Sequence, residues 1–250
     1  MIRLSVNVNK VATLRNSRGG DEPRVLDAVE VCLRAGVQGI TVHPRADQRH
    51  IKPRDVDDIV RVLEGKRPAI EFNIEGDPRP DLIELVQRVR PDQCTLVPVV
   101  PGEITSQAGW TAASPDTARL PAVVADMKAR GVRVSVFVDA TPEAIRLASS
   151  IGADRVELYT EPYARAFERG PEAARTSFAT FRAAAELAHQ LGLGVNAGHD
   201  LNLDNLTLFR QLPHLDEVSI GHAIMSRALF VGLDTVVREY LAVLAGHPAA

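Results

Sequence analysis

Short runs rich in β-branched residues alternate with longer helical patterns along the whole chain, and this alternation limits the possible folds more than any other feature. Leu4–Val8 alternates apolar and polar residues like a strand. Arg24–Ala35 then carries Val25, Leu26, Val29 and Leu33 at helical spacing, and Gly36 stands where helices commonly end. The same sequence of strand, helix and glycine returns at Arg130-Gly131-Val132, Ile151-Gly152-Ala153 and Leu191-Gly192-Leu193. The reading yields eight strands and about eight helices in strict alternation. In a chain of 250 residues this is the arithmetic of one (β/α)8 TIM barrel covering residues 1–250, with short extra helices. A doubly wound open sheet is the structural rival, but it usually carries a Gly-rich turn after its first strand. Here Asn7-Val8-Asn9-Lys10 occupies that place.

Composition excludes several classes of function. A formal net charge of −3 gives no broad basic surface for nucleic acid, and aromatics at 4% are too few for a base-stacking platform. Nothing approaches the roughly 18 uncharged apolar residues of a membrane span, and the first residues lack the apolar core of a signal peptide. The two cysteines, Cys32 and Cys94, lie inside apolar patterns and read as buried free thiols of a reducing compartment. The expectation is a cytoplasmic protein that binds neither nucleic acid nor membrane.

The chemistry-bearing residues collect where strands end, the face on which barrel enzymes build their sites. His43, His199 and His222 end or follow strands, and His50 lies in the loop after the second. One such His is commonly structural; three on one face suit proton transfer near neutral pH. Glu71 interrupts an otherwise mostly apolar strand, read as Ala69–Ile74, so it either points into the barrel mouth or sits in a buried ion pair. Glu157 repeats the feature in Arg155–Tyr159. Asn196-Ala197-Gly198-His199-Asp200 and Ser219-Ile220-Gly221-His222-Ala223 follow strands seven and eight, the usual place of a barrel phosphate site. Arg15, Arg18, Arg45, Arg49 and His50 form either a solvated loop cluster or a second anion site. The longest non-periodic stretches, Lys10–Pro23 and Val99–Asp116, read as loops on the same face.

Several strings together resemble the pyridoxine 5'-phosphate synthase family: Ala12-Thr13-Leu14-Arg15-Asn16-Ser17-Arg18-Gly19, Gly39-Ile40-Thr41-Val42-His43-Pro44-Arg45, Arg49-His50-Ile51, Val195-Asn196-Ala197-Gly198-His199 and Ile220-Gly221-His222-Ala223-Ile224. The resemblance runs through the whole chain. It implies a (β/α)8 barrel assembled as a homo-octamer and working without metal or organic cofactor. The implied reaction condenses 3-amino-2-oxopropyl phosphate with 1-deoxy-D-xylulose 5-phosphate, closes the pyridine ring of vitamin B6, and releases phosphate and water. By motif position the family's catalytic residues fall on His43, Glu71 and His199, with a stabilising Glu on Glu157. Its aminoketone-phosphate contacts fall on Asn7, Arg18, Asp200, Gly221 and His222, and its deoxyxylulose-phosphate contacts on Asn9, Lys10, Arg45, His50 and Thr105. Two positions depart from the family pattern. Asn9-Lys10 stands where Asp-His is commoner, and Asp200 stands where Gly is commoner.

Two rival readings follow from the same residues. His43, Glu71, His199 and His222 could ligate a divalent ion in a barrel aldolase or epimerase acting on a sugar phosphate. A non-catalytic phosphometabolite-binding barrel is the other.

Overall fold

The computed structural model describes residues 1–99 and 108–247. Eight parallel strands close into a barrel in sequence order: β1 (Arg3–Asn7), β2 (Gly39–Val42), β3 (Glu71–Gly76), β4 (Gln93–Leu96), β5 (Arg133–Val138), β6 (Arg155–Leu158), β7 (Gly194–Ala197) and β8 (Leu215–Ile220), with β8 pairing back onto β1. The helices are α1 (Asn9–Asn16), α2 (Val25–Ala35), α3 (Pro53–Leu63), α4 (Pro80–Val89), α5 (Leu120–Ala129), α6 (Pro142–Ser150), α7 (Glu161–Glu168), α8 (Pro171–Gln190), α9 (Leu203–Phe209), α10 (His222–Val231) and α11 (Leu233–Leu244). The expected TIM barrel is therefore present.

Each strand divides its residues between two faces, because successive side chains alternate. Leu4, Val6, Ile40, Val42, Ile74, Leu96, Val134, Val136, Val156, Leu158, Val195, Val218 and Ile220 are wholly buried. They join the buried faces of the helices, among them Val29 and Cys32 of α2 and Val236, Val237 and Tyr240 of α11, in one continuous apolar layer. Helices return to strands through left-handed glycines where expected; Gly36 ends α2 at φ 100°, a conformation that costs a residue without Cβ nothing. Both thiols are buried and unpaired, and burial pushes each up to about 12.

The barrel interior departs from the usual layers of branched apolar residues. Ser5, Thr41, Asn73, Gln93, Thr95, Ser135, Asn196 and Glu217 are buried there. The Ser5 and Thr41 hydroxyls share a 2.7 Å hydrogen bond, Asn73 Nδ2 donates to Thr41 Oγ1 (3.4 Å), and Thr95 Oγ1 donates to Asn73 Oδ1 (3.1 Å). Asn196 Nδ2 reaches across from β7 to Gln93 Oε1 of β4 (3.4 Å). Such a network makes each buried polar group tolerable, and it holds the interior in one arrangement.

Two helices lie outside the sequence reading. Residues 10–23 are not all loop, because Asn9–Asn16 forms α1. Its buried side is Ala12 and Arg15, too short an apolar pattern to announce a helix. Arg15 donates to both carboxylate oxygens of Asp55 in α3 (2.5 and 2.9 Å), and Asn16 Nδ2 donates to the His50 carbonyl (2.8 Å). Residues 161–168 form a separate helix, α7. Its Tyr163 packs on Phe209 at 4.9 Å between ring centroids and donates to the Asn205 carbonyl (2.7 Å).

Candidate active site

The C-terminal ends of the strands gather most of the expected residues. On one side Asn7 ends β1, Asn9 and Lys10 open α1, and His43 follows β2. Asn7 Oδ1 accepts from the Asn9 backbone N–H (3.0 Å), and Asn9 Oδ1 accepts from the His43 N–H (2.9 Å). These two amides lock the ends of β1 and β2 together. Lys10 belongs to the first turn of a helix rather than to a loop. Its ammonium lies close enough to act on both His50 and His199.

Glu71 is not at this face. It is the first residue of β3, paired in register with Gly39, and its carboxylate is held by Arg3 of β1 and Arg133 of β5. Arg3 and Arg133 are each about 28–29% exposed at the N-terminal end of the barrel, opposite the strand-end histidines. The expectation of a proton-transfer role for Glu71 is corrected accordingly. Of the two alternatives left by the sequence, the buried ion pair is the one adopted. The carboxylate that does face the site is Glu75, four residues further along β3. Its Oε2 lies 3.8 Å from His43 Nδ1 and accepts from Asn7 Nδ2 (3.3 Å). The strand runs to Glu75-Gly76, two residues beyond the end that apolar alternation predicts at Ile74.

The other side of the mouth is partly apolar. Val97, Phe137 and Tyr159 form a small buried cluster of their own. The His199 ring packs against Tyr159 and Phe137, at 6.0 and 6.5 Å between centroids. None of these three apolar residues was singled out from the sequence; Tyr159, at the end of an apolar strand, was the available hint. Asp200 Oδ2 lies 2.7 Å from His199 Nδ1, and the Asp200 backbone N–H donates to Thr160 Oγ1 (3.3 Å). Glu157 projects from β6 among these groups with Oε2 buried and unpartnered, and His43 Nε2 is likewise buried without a partner.

Burial and neighbouring charge sort these groups into acids and bases. Burial, with His50, Arg45 and Arg79 nearby, holds His43 well below the usual histidine range, so it is neutral at pH 7. Burial and the charges of Glu157 and Glu217 push Glu75 well above the carboxylate range. Burial and Glu217 raise Glu157 to about 7. Burial opposes protonation of His199, but the Asp200 hydrogen bond, the Asp200 charge and Glu157 together raise it. His50 is lowered to about 4 by burial, Arg45 and Lys10, and its ring lies 6.0 Å from that of His43. An imidazole held toward its neutral form thus faces a carboxyl shifted toward its protonated form, and the imidazole on the far side is shifted toward its charged form.

The expected phosphate end is built as follows. Gly221 caps α10, and a Cβ there would lie 2.9 Å from the Asn7 carbonyl. His222 occupies the first turn of this ten-residue helix, so backbone N–H groups open toward the mouth. Gly198 is tighter still, because a Cβ would meet the Ser219 carbonyl at 2.0 Å. Arg45 and His50 share the loop between β2 and α3, which Arg79 steadies by donating to the Pro44 carbonyl. Arg18 is exposed just beyond α1. Arg15 is withdrawn from the suggested anion cluster by its pair with Asp55. Thr105 lies outside the described residues. Among the described residues no three His, Cys, Asp or Glu side chains gather to hold a metal ion.

The sequence profile of the pyridoxal phosphate biosynthesis protein PdxJ family matches residues 4–246. The chain belongs to that family. It is 52% identical over 241 residues to a protein named pyridoxine 5'-phosphate synthase from Bacteroides thetaiotaomicron, covering 96% of this chain and 98% of that one. A protein of the same name from Leptospira biflexa is 47% identical over 253 residues, covering 98% and 97%. Among solved structures, phosphoribosyl anthranilate isomerases from Thermotoga maritima and Thermus thermophilus superpose with TM-scores of 0.61 and 0.59. They cover 98% of this chain and 100% and 98% of their own, at 13% and 15% identity. These two likenesses establish the barrel fold alone.

Proposed function

We propose that this protein is a pyridoxine 5'-phosphate synthase, joining 3-amino-2-oxopropyl phosphate to 1-deoxy-D-xylulose 5-phosphate with release of phosphate and water. Family membership across residues 4–246 carries the reading, and the acid–base layout of the mouth supports it. Imine formation and the later dehydrations need alternating proton transfers beside carbonyl carbons. Neutral His43 serves as the base for the ring-forming transfers. Glu75 delivers and recovers a proton during carbinolamine and imine formation, in the place the sequence reading gave to Glu71. His199 is the acid for departing phosphate or water, and Glu157 stabilises cationic intermediates between them. Gly221, His222, Asn7 and Arg18 take the aminoketone phosphate; Asn9, Lys10, Arg45, His50 and Thr105 take the deoxyxylulose phosphate. No metal or organic cofactor enters this scheme.

Incubating the purified protein with both phosphorylated substrates and assaying for pyridoxine 5'-phosphate tests the reading. Product formation is the expected result, and folded protein that yields none overturns it. The same reading makes the whole chain, residues 1–250, one domain of a cytoplasmic homo-octamer. Leu229 and Phe230 of α10 are 73% and 87% exposed, with Leu14 of α1 at 53%, apolar surface that an assembly would cover. Among the described residues no helix is long and apolar enough to cross a membrane. Sedimentation should show a species far above the 27.1 kDa of one chain; an active monomer would remove the assembly from the scheme.

A further inference from the structure

Asp200 was expected to contact phosphate, yet its polar groups are turned elsewhere. Its carboxylate meets His199, its N–H meets Thr160, and its carbonyl accepts from Asn205 Nδ2 (3.1 Å). We propose that Asp200 is a positioning residue for His199, holding the ring by Nδ1 so that Nε2 carries the proton delivered to the leaving group. The inference rests on the reading of His199 as the acid of the proposed reaction.

The backbone explains how two neighbouring side chains come to face each other. Gly198 presses against the β8 carbonyl of Ser219, where no Cβ fits. His199 is thereby turned to φ 20°, an uncommon value for a residue with a side chain. The turn is secured on three sides. Thr160 Oγ1 donates to the Gly198 carbonyl (3.0 Å) and accepts from the Asp200 N–H, and the Leu201 N–H donates to the Gly198 carbonyl (2.8 Å). A conformation held this firmly at an uncommon φ brings imidazole and carboxylate to hydrogen-bond distance without help from a flexible loop.

A carboxylate on Nδ1 selects the tautomer and favours the charged ring, as it does for metal-bound and triad histidines. The other groups acting on the ring are Glu157 from β6, which adds to this effect, and Lys10 from α1, which opposes it. Phe137 and Tyr159 supply apolar walls. In the step itself, the bond from carbon to the departing phosphate or hydroxyl oxygen breaks with its electron pair going to oxygen, while the electron pair of a C–H bond on the adjacent carbon forms the new carbon–carbon double bond and that proton goes to neutral His43. The Nε2 proton goes to that same oxygen, and His199 is left neutral with its Nδ1–H still on Asp200. The carboxylate is not protonated at any point.

The test combines kcat and KM across pH for Asp200→Asn, Asp200→Gly and His199→Gln with direct NMR titration of His199 in the full-length protein. Asn can still accept from Nδ1–H but removes the charge. Asp200→Asn should therefore move the alkaline limb of kcat, and the NMR midpoint of His199, to lower pH by about one unit. It should keep most of the turnover on the acid side, with KM for the aminoketone phosphate changed by less than about twofold. Asp200→Gly should show the same shift with a lower plateau, which the Asn variant partly restores. An unmoved limb and midpoint in Asp200→Asn, or a raised KM for the phosphate substrate with an unshifted profile, overturns the proposal. Wild-type turnover in His199→Gln would instead refute His199 as the acid, while the NMR shift alone would still decide the pairing.

Discussion

Glu75 Oε2 stands 3.8 Å from His43 Nδ1 at the mouth of the barrel, whereas Glu71, on the same strand, is bound by Arg3 and Arg133 at the opposite end. Both carboxylates face the interior, since residues two and four apart share a strand face. Depth along the axis alone separates a group that can reach a reactant from one that braces the barrel floor. Glu75→Gln keeps the size and removes the acid, and should lower kcat by roughly 10²–10⁴-fold, the usual share of an acid–base group. Glu71→Gln should act mainly on stability, because it leaves two arginines without their shared partner. Measuring kcat and chemical denaturation on both variants decides. A large kcat loss confined to Glu71→Gln would return the role to that residue.

Lys10 bears on the second substrate. It opens α1 between the groups expected to hold the deoxyxylulose phosphate, and its charge reaches His50. An ammonium has three donors on a flexible stem, and a charged hydrogen bond is worth about 1.5–3 kcal/mol. Lys10→Ala should weaken apparent binding of 1-deoxy-D-xylulose 5-phosphate by roughly 10–150-fold. Binding of the aminoketone phosphate should change far less. Titration of each substrate at saturating partner checks this, and equal losses for both would show that Lys10 serves neither site selectively.

Gly221→Val tests the phosphate end. Its Cβ would press on the Asn7 carbonyl at 2.9 Å and close the approach to the α10 N-terminus. The expected outcome is a raised KM for the aminoketone phosphate together with a lowered thermal midpoint, because the Asn7 carbonyl must give way. Unaltered affinity would place the phosphate elsewhere.

The barrel floor predicts a pH dependence of stability. Burial and Glu71 raise Glu217 to about 7, with Arg155, Arg133 and Arg3 working the other way. A carboxyl raised in the folded state binds more protons folded than unfolded between its two values. The stability it contributes is complete below the unfolded value near 4.3 and is lost as pH rises through about 7. Glu217→Gln should therefore lose less stability than the wild type between pH 5 and pH 8, measured by denaturant midpoint at each pH. Parallel curves for the two proteins would contradict the assignment.

The Arg15–Asp55 pair, whose guanidinium also donates to the His50 carbonyl, offers a test of stability. Arg15 is 3% exposed, so Arg15→Ala leaves a buried carboxylate unpaired. The cost should be about 3–5 kcal/mol by denaturant unfolding. A change under about 1 kcal/mol would mean that water or another cation replaces the guanidinium.

The barrel is legible in the order of residues alone. Eight alternations of a branched apolar strand with a helical pattern, four of them joined through a helix-ending glycine, leave few other ways to bury the apolar faces. That order also placed His43, His199 and Gly221 at strand ends, because a strand's limits show where apolar alternation stops. What it could not decide was depth and pairing. A period of two separates inward from outward residues, but the height of a residue in the barrel follows from register with its neighbours. Gly39 opposite Glu71 sends that carboxylate to the floor and leaves Glu75 beside His43. The polar interior was equally beyond sequence reading, because Asn196 and Gln93 meet only across a closed barrel. Helix α1 was missed because its buried side rests on an ion pair with a residue 40 positions away rather than on apolar periodicity. The contact of Asp200 with His199 is likewise tertiary: it depends on Gly198 lying against β8, and neighbouring side chains would otherwise diverge.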